Sequence, residues 1–363
     1  MPIASIDWMN HAAGVLQNDD ALRAHWDRLN DMRGGLSILG CMAVSTALAT
    51  LGEGNERLLV GRVNDAVVAM FVLQPGGRLQ WWTFQPSQMP LGSWVADPAF
   101  ALQDLARSLV RGPIGACMAL SVTQVDPAVA ARTTDDPDNL HQDYIDTAWI
   151  DVEGTFDAYW AARGKNLRQN MRKQRAKLHA DGVSLHMDVL RKSDDMAAAV
   201  ARYGALESAG WKAGHGTAIH PDNAQGRFYR SLLEQAAAHG QAVVYQYRFD
   251  DKVVAMNICL SRNGMLIVLK TTYDESIRQL SPAFLLRESE LQEIFAQGQV
   301  RRIEYFGRLM DWHTKMTPNK RTLYHLTAYR WPMLKRLALA RRASRAPAQD
   351  TAQDTAIDDS ART

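Results

Sequence analysis

Hydrophobic and polar positions change period several times along this chain, and each change marks an element. Residues 1–33 are mostly polar, with apolar positions at Leu16, Leu22, Trp26 and Leu29 that predict a helix with one buried face. Gly34 to Gly52, "GGLSILGCMAVSTALATLG", carries no charge over a length that raises the question of a membrane. Gly, Ser and Thr dilute it and no Lys/Arg cluster flanks one side, so a buried helix with its approach loop is expected. Arg57 to Phe84 reads as three strands with turns at Asn64-Asp65 and Pro75-Gly76-Gly77. A helix capped by Asp97, with Pro98 at its first position, runs to Gly112. The strand "GACMALSVTQV" follows, and then the polar loop "DPAVAARTTDDPDNLHQD", the expected domain boundary.

The second half opens with the strand "DTAWIDV" and a long helix over Phe156 to Ala180. "VSLHMDVL" is a strand, and helices follow from Ser193 to Ala209 and up to Gly240, separated by the loop "GWKAGHGTAIHPD". "QAVVYQYRFDDKVVAMNICLSRNGMLIVLKTTY" is again a three-strand meander, turning at Asp250-Asp251 and Asn263-Gly264. A helix from Ser281 and the strands "VRRIEYFG" and "TLYHLTAYRW" complete the order. "VNDAVVAM" (63–70) and "FDDKVVAM" (249–256) sit at the same place in two similar meanders, each followed by a helix and a strand. That placement points to an internal duplication, against the alternative of two unrelated meanders. The expected division is a first half over 1–150 and a second over 151–335, with an Ala/Asp/Thr-rich tail over 342–363 that has little to bury.

Composition narrows the class. A length of 363 residues, 47% hydrophobic and 22% charged, supplies an ordinary globular core. A net charge of +2 predicts no bulk affinity for nucleic acid or membrane, so any basic patch is local. Cys41, Cys117 and Cys259 are scattered and odd in number, which excludes a disulfide framework and fits a reducing compartment. No C-x-x-C or H-E-x-x-H pattern occurs, and His215 and His220 lie five apart, so no metal is expected. The N-terminus lacks a basic region followed by an apolar block, so a cytoplasmic protein without stable membrane insertion is expected.

Four stretches carry candidate chemistry. At "IRQLSPAFLL", Ser281 suits an N-cap, Pro282 the first helical position, and Ala283 leaves room at the backbone. A helix N-terminus is an anion site, and Arg278 would add a full charge; the alternative is a well-capped helix after a turn. "RGKNLRQNMRKQRAKL" holds seven cations including Arg168 and no acid, a solvated face or a patch for an anionic substrate or membrane surface. No recognised module surrounds it, so sequence-specific nucleic-acid binding is not expected. In "IEYFGRLMDWHTKM", Glu304, Asp311, His313 and Lys315 cluster beyond a strand, proton acceptors if burial tunes them, ordinary surface charge if not. "ESAGWKAGHGTAI" places Trp211 and Lys212 in a Gly-rich loop, a lid or a connector.

Together "SAGWKAGHGTAI", "FYRSLLEQAAAHGQ", "KVVAM", "LKTTYDESIRQLSPAFLL" and "EYFG…K" resemble the FemAB/CelD-like branch of the GNAT acyltransferase superfamily, most strongly over 155–330. The resemblance implies an α/β fold: two GNAT-like mixed-sheet halves in tandem, flanked by helices, the second half catalytic. It implies splayed strands that admit an acyl-CoA, with its pyrophosphate on the following helix. Arg278, Ser281 and Ala283 match the superfamily's Arg/Gln-x-x-Gly-x-Gly/Ala loop, with Ser in place of the first Gly. Pro282 completes that implied cofactor site. The implied chemistry is direct transfer to an amine or hydroxyl of a small-molecule or sugar-derived acceptor in exopolysaccharide or envelope biosynthesis, with no metal. Glu304 is the first choice of base and Asp274 the second; Tyr273 would donate to the leaving thiolate. Lys270 and Lys315 would orient acceptor or acyl carbonyl, and Arg168, Trp211 and Lys212 would contact the acceptor. An aminoacyl-tRNA donor and a non-catalytic subunit of a polysaccharide complex stay open, as do a homodimer and a synthase complex.

Overall fold

The structure, a computed structural model, describes residues 6–209 and 219–345. The first half contains β1 (Asp7–Ala12), α1 (Asp20–Asp31), α2 (Cys41–Leu51), β2 (Arg57–Val63), β3 (Ala66–Gly77), β4 (Gln80–Thr83), β5 (Trp94–Ala96), α3 (Leu102–Val110) and β6 (Ala119–Val125). β7 (Asn139–Asp151) bridges to α4 (Phe156–Ala161), α5 (Lys165–Ala180), β8 (Leu185–Leu190), α6 (Ser193–Ser208) and α7 (Ala224–Ala238). The meander β9 (Ala242–Phe249), β10 (Lys252–Arg262) and β11 (Met265–Tyr273) leads into α8 (Pro282–Gln297) and β12 (Arg302–Glu304). The described chain ends with α9 (Asp311–Met316), β13 (Lys320–Tyr329) and α10 (Pro332–Arg345).

Among the described residues one mixed sheet runs in the order β1-β2-β3-β4-β6-β13-β7-β12-β11-β10-β9-β8, with β5 paired to β3. Read from both ends, this order is symmetric. β2-β3-β4 and β9-β10-β11 are antiparallel meanders, and β4 pairs β6 in parallel as β11 pairs β12. The turns that make the two meanders alike are legible in backbone angles: Asn64, Asp65, Asp250, Asn263 and Gly264 all have positive φ. The halves then trade strands. β13, the last strand, pairs β6 of the first half, whereas β7 pairs β12 of the second; β7 and β13 also pair each other at the centre.

Helices cover both faces. α1 and α2 lie over the first half and α6 and α7 over the second, joined in one core that includes Trp26, Val44, Val72, Tyr203, Phe228 and Met256. On the opposite face α3 packs over the first half, and α5 and α8 bury Met171, Leu178, Leu285 and Leu291 over the second. The uncharged 34–52 segment is the buried helix α2 and its approach, and among the described residues no helix is long and apolar enough to cross a membrane.

Several boundaries differ from expectation. Residues 7–12 form an edge strand, since only Trp8 of that strand turns inward and its pairing is main-chain. The turn expected at Pro75–Gly77 comes later, at Arg78–Leu79, because Pro75 and Gly77 pair with β4 around a bulge. The helix after Asp97 starts at Leu102, and Asp97 instead accepts from the Ala99 amide. Gly164 breaks the expected 156–180 helix into α4 and α5. β7 begins inside the polar stretch expected to be a loop, and α10 extends to Arg345.

Candidate active site

β11 and β12 pair only over Met265–Ile267 and Arg302–Glu304. Beyond that point β11 continues to Tyr273, whereas the chain after Glu304 turns toward β7: the Tyr305 amide donates to Ala148 and the Leu309 amide to Asp146. Phe306, at φ 51°, makes that turn. The strands therefore splay, and the opening has a different wall on each face of the sheet.

On the α8 face lies the turn between β11 and α8. Asp274 organises it, accepting from the Ser276 amide and hydroxyl and from Lys252 Nζ at 2.7 Å. Burial raises the Asp274 pKa, but the bonds from Lys252 and Ser276 outweigh it and hold the carboxyl below its ordinary value. A carboxylate so stabilised is a structural brace and a poor base. Ser281 adopts φ 56°, ψ 44°, the left-handed conformation that glycine takes freely, which gives a physical reason for glycine in the superfamily's loop at this position. It does not cap with its side chain as expected; its hydroxyl instead accepts from Asn170 Nδ2 of α5. Pro282 is the first residue of α8, Phe284 and Leu285 donate to the Ser281 carbonyl, and Ala283 carries the remaining first-turn amide. Arg278 is exposed on the same turn, and Tyr273 is half-buried next to it with its phenol pKa raised by burial and by Glu275.

α5 lies along this side. Arg175 donates to Glu288, Ser289 and Tyr247, and Asn170 reaches Ser281, so the basic helix flanks the start of α8. Arg168 donates to the Arg163 carbonyl. The cationic run thus stands on the α8 face, away from the cleft described next. Lys315 pairs with Asp311 and lies 5.9 Å from the Phe284 ring, also on the α8 side. Beneath it Arg287 stacks on Trp312 at 3.8 Å and donates to Thr271, and His313 accepts from the Met310 amide. Burial and the Arg287 charge push His313 down to about 4, so it is neutral at physiological pH.

On the opposite face is a cleft of about 460 Å³. Lys270 and Tyr229 form its second-half wall, and the first half supplies the loop Gln85–Pro90 and Gln124. Lys270 Nζ lies 3.9 Å from Glu207 Oε1 and 5.8 Å from the centre of the Tyr229 ring. Glu207, near the end of α6, is buried, and its other oxygen accepts from the Ile219 amide. That contact depends on two glycines: a Cβ at Gly204 would come within 2.2 Å of the Ile219 carbonyl oxygen, and one at Gly226 within 1.9 Å of that of His220. Tyr203 is buried one helical turn from Glu207, its phenol pKa raised by burial and then by the Glu207 charge. Glu207 falls near the end of the expected 193–209 helix, just before the Gly-rich stretch, and was not singled out in the sequence; its burial is what marks it. Trp211 and Lys212 of that stretch lie outside the described residues.

Glu304 sits at the end of β12 but does not line the cleft. Burial pushes it up to about 7, against the pull of Arg321 Nη2 at 2.8 Å. Arg321 also donates to both oxygens of Asp126, so the carboxylates of the two halves share one guanidinium. That pairing gives Glu304 a bracing role behind the cleft wall.

Residues 165–314 match the family model described as an acetyltransferase (GNAT) domain. The fold is GNAT-like, in tandem. Among solved structures, the chain is similar to FemX, at TM-score 0.55 and 9% identity, covering 91% of this chain and 99% of that one. It is equally similar, at TM-score 0.55 and 16% identity, to the C-terminal domain of a protein assigned as a lysylphosphatidylglycerol synthetase from Agrobacterium fabrum, with 87% and 95% covered. A conserved protein of unknown function from Bacteroides thetaiotaomicron scores 0.52 at 12% identity, covering 86% and 97%. No curated protein sequence matches the chain.

Proposed function

We propose that this protein is an acyltransferase that moves an acyl group from an anionic carrier, acyl-CoA first among them, to an amine or hydroxyl. One observation carries the reading. The glycine-like turn at Ser281 and the Lys270 cleft approach the same β11–β12 opening from opposite faces of the sheet, so a donor and an acceptor meet there without sharing a pocket. On the α8 face the Ala283 amide and the Arg278 charge suit a pyrophosphate. In the cleft, Lys270, positioned by Glu207, orients the acceptor or the acyl carbonyl. The acceptor's lone pair attacks that carbonyl and the carbon–sulfur bond breaks. The acceptor gives up its proton to solvent in the open cleft, Tyr273 donates its phenolic proton to the leaving thiolate, and solvent reprotonates Tyr273, so one proton passes in net from acceptor to sulfur. The first-half wall of Gln85, Ser87, Gln88 and Gln124 offers carboxamides and a hydroxyl, donors and acceptors that suit a sugar-derived acceptor, as in an envelope or exopolysaccharide precursor.

The test is calorimetric titration with acetyl-CoA, a longer acyl-CoA and free CoA. Binding should weaken roughly tenfold in Arg278→Ala, the scale of one charge-assisted contact. Lys270→Ala should keep donor affinity and lose turnover. Absence of heat with both donors and with free CoA would overturn the CoA reading. A second donor, aminoacyl-tRNA, is favoured by the exposed Arg172 and Lys173 on the basic helix beside the turn, and a salt-sensitive tRNA shift would support it.

A further inference from the structure

α10 presents its faces in reverse. It lies on the same face of the sheet as the Lys270 cleft: Ala338 lines a second hollow with Trp82, His325 and Thr327, and His325 touches Tyr144 of the first cleft at 4.6 Å between ring centres. Polar contacts hold it there. Lys335 donates to the Asp136 and Asn139 carbonyls, and Arg330, just before the helix, donates to Val110. Of its large apolar side chains Leu334 is half-buried and Leu339, 40% exposed, lies off to one side, but Met333 at 62% and Leu337 at 47% point outward, with Trp331 at 49% just before the helix. At helical spacing Met333, Leu337 and Ala340 form one stripe opposite Lys335 and Ala338, bordered by Arg336 and Arg341. From Arg330 to Arg342 the sequence has five Lys/Arg and no acid.

An amphipathic helix on a globular protein normally buries its apolar stripe, and scattered exposed apolar residues need no explanation. A contiguous outward stripe with cationic borders does need one. The chemistry that matches both parts at once is an anionic lipid surface, with apolar side chains at the acyl boundary and arginines among the phosphates. We propose that α10 is an interfacial anchor that docks this protein reversibly on an anionic bilayer. The docking does not depend on which acyl group is transferred, or on whether one is.

Co-sedimentation of the full chain with phosphatidylcholine vesicles, with and without phosphatidylglycerol, tests it. Binding is expected to the mixed vesicles only, and to weaken as salt is raised. Met333→Asp with Leu337→Asp should abolish it, and Arg336→Gln and Arg341→Gln should each weaken it about fivefold. All four side chains are exposed, so melting should not change; if the double variant melts early, Met333→Gln alone carries the test. No binding to mixed vesicles, or binding indifferent to Met333→Asp and Leu337→Asp, overturns the proposal. A concentration-dependent dimer in light scattering that the double variant abolishes would put a second copy on the stripe and would overturn it as well.

Discussion

Ser281 holds a conformation that costs an L-residue about 1–2 kcal/mol and glycine almost nothing. Ser281→Gly should therefore keep stability and donor affinity, whereas Ser281→Val, branched at Cβ, should lose about 2 kcal/mol in urea unfolding. Equal effects of the two would mean that the backbone angle does not govern the position. Glu290 makes a prediction of a different kind. It is buried on α8, accepts from Asn257 Nδ2, and burial pushes it up to about 7 against that bond and the Arg287 charge. A folded pKa above the unfolded one means that the folded state binds the proton more tightly. Its contribution is then full below about pH 4.5 and lost as pH rises through 7, a span of roughly 3 kcal/mol. His313 has the opposite sign, because its lowered pKa adds stability as pH rises between 4 and 6.5. Comparing wild type with Glu290→Gln isolates the first: the stability difference should shift against wild type from pH 4.5 to 8. A constant difference would show that Glu290 ionises without cost.

At the scale of elements, the sequence was most readable where local chemistry decides the shape. Asn64-Asp65, Asp250-Asp251 and Asn263-Gly264 name their turns because few residues tolerate positive φ, and Pro282 names the start of a helix. Ser281 could be placed from its neighbours, but not its left-handed angle, which only the Arg-x-x-Gly resemblance hints at. Elements fixed by distant partners were not readable. β1 shows no alternation since only Trp8 is buried, and the polar start of β7 is a strand because β13 pairs with it. The site divides in the same way. Arg278 could be proposed from its place before the Ser281 helix and Lys270 from the resemblance, whereas the Lys270–Glu207 contact and the Arg321 bridge between Asp126 and Glu304 exist only in the assembled fold. A charged residue in sequence gives no sign of which opposite charge it will meet, so the ion pair that holds Glu304 to Arg321 could not be read from its neighbours. Basic character was legible in α5, yet its side of the sheet was not.

At the scale of the whole molecule, the traded strands make the two halves one cooperative unit. A chain ending after residue 318 lacks β13 and should leave β6 unpaired on one edge. Hydrogen exchange should then show β4 and β6 losing protection together; retained protection there would mean that the traded strand is dispensable. The same connection sets an order of events during synthesis. Ser121 of β6 bonds Thr327 of β13 across 206 residues of chain, so at roughly 5–20 residues per second the first half waits on the order of 10–40 s for its partner strand. Throughout that interval the ribosome-bound chain offers β6 as an open edge, the template on which a neighbouring nascent copy can pair. Translation speed and polysome spacing, rather than the stability of the finished fold, would then decide how much of this protein is lost to entangled dimers.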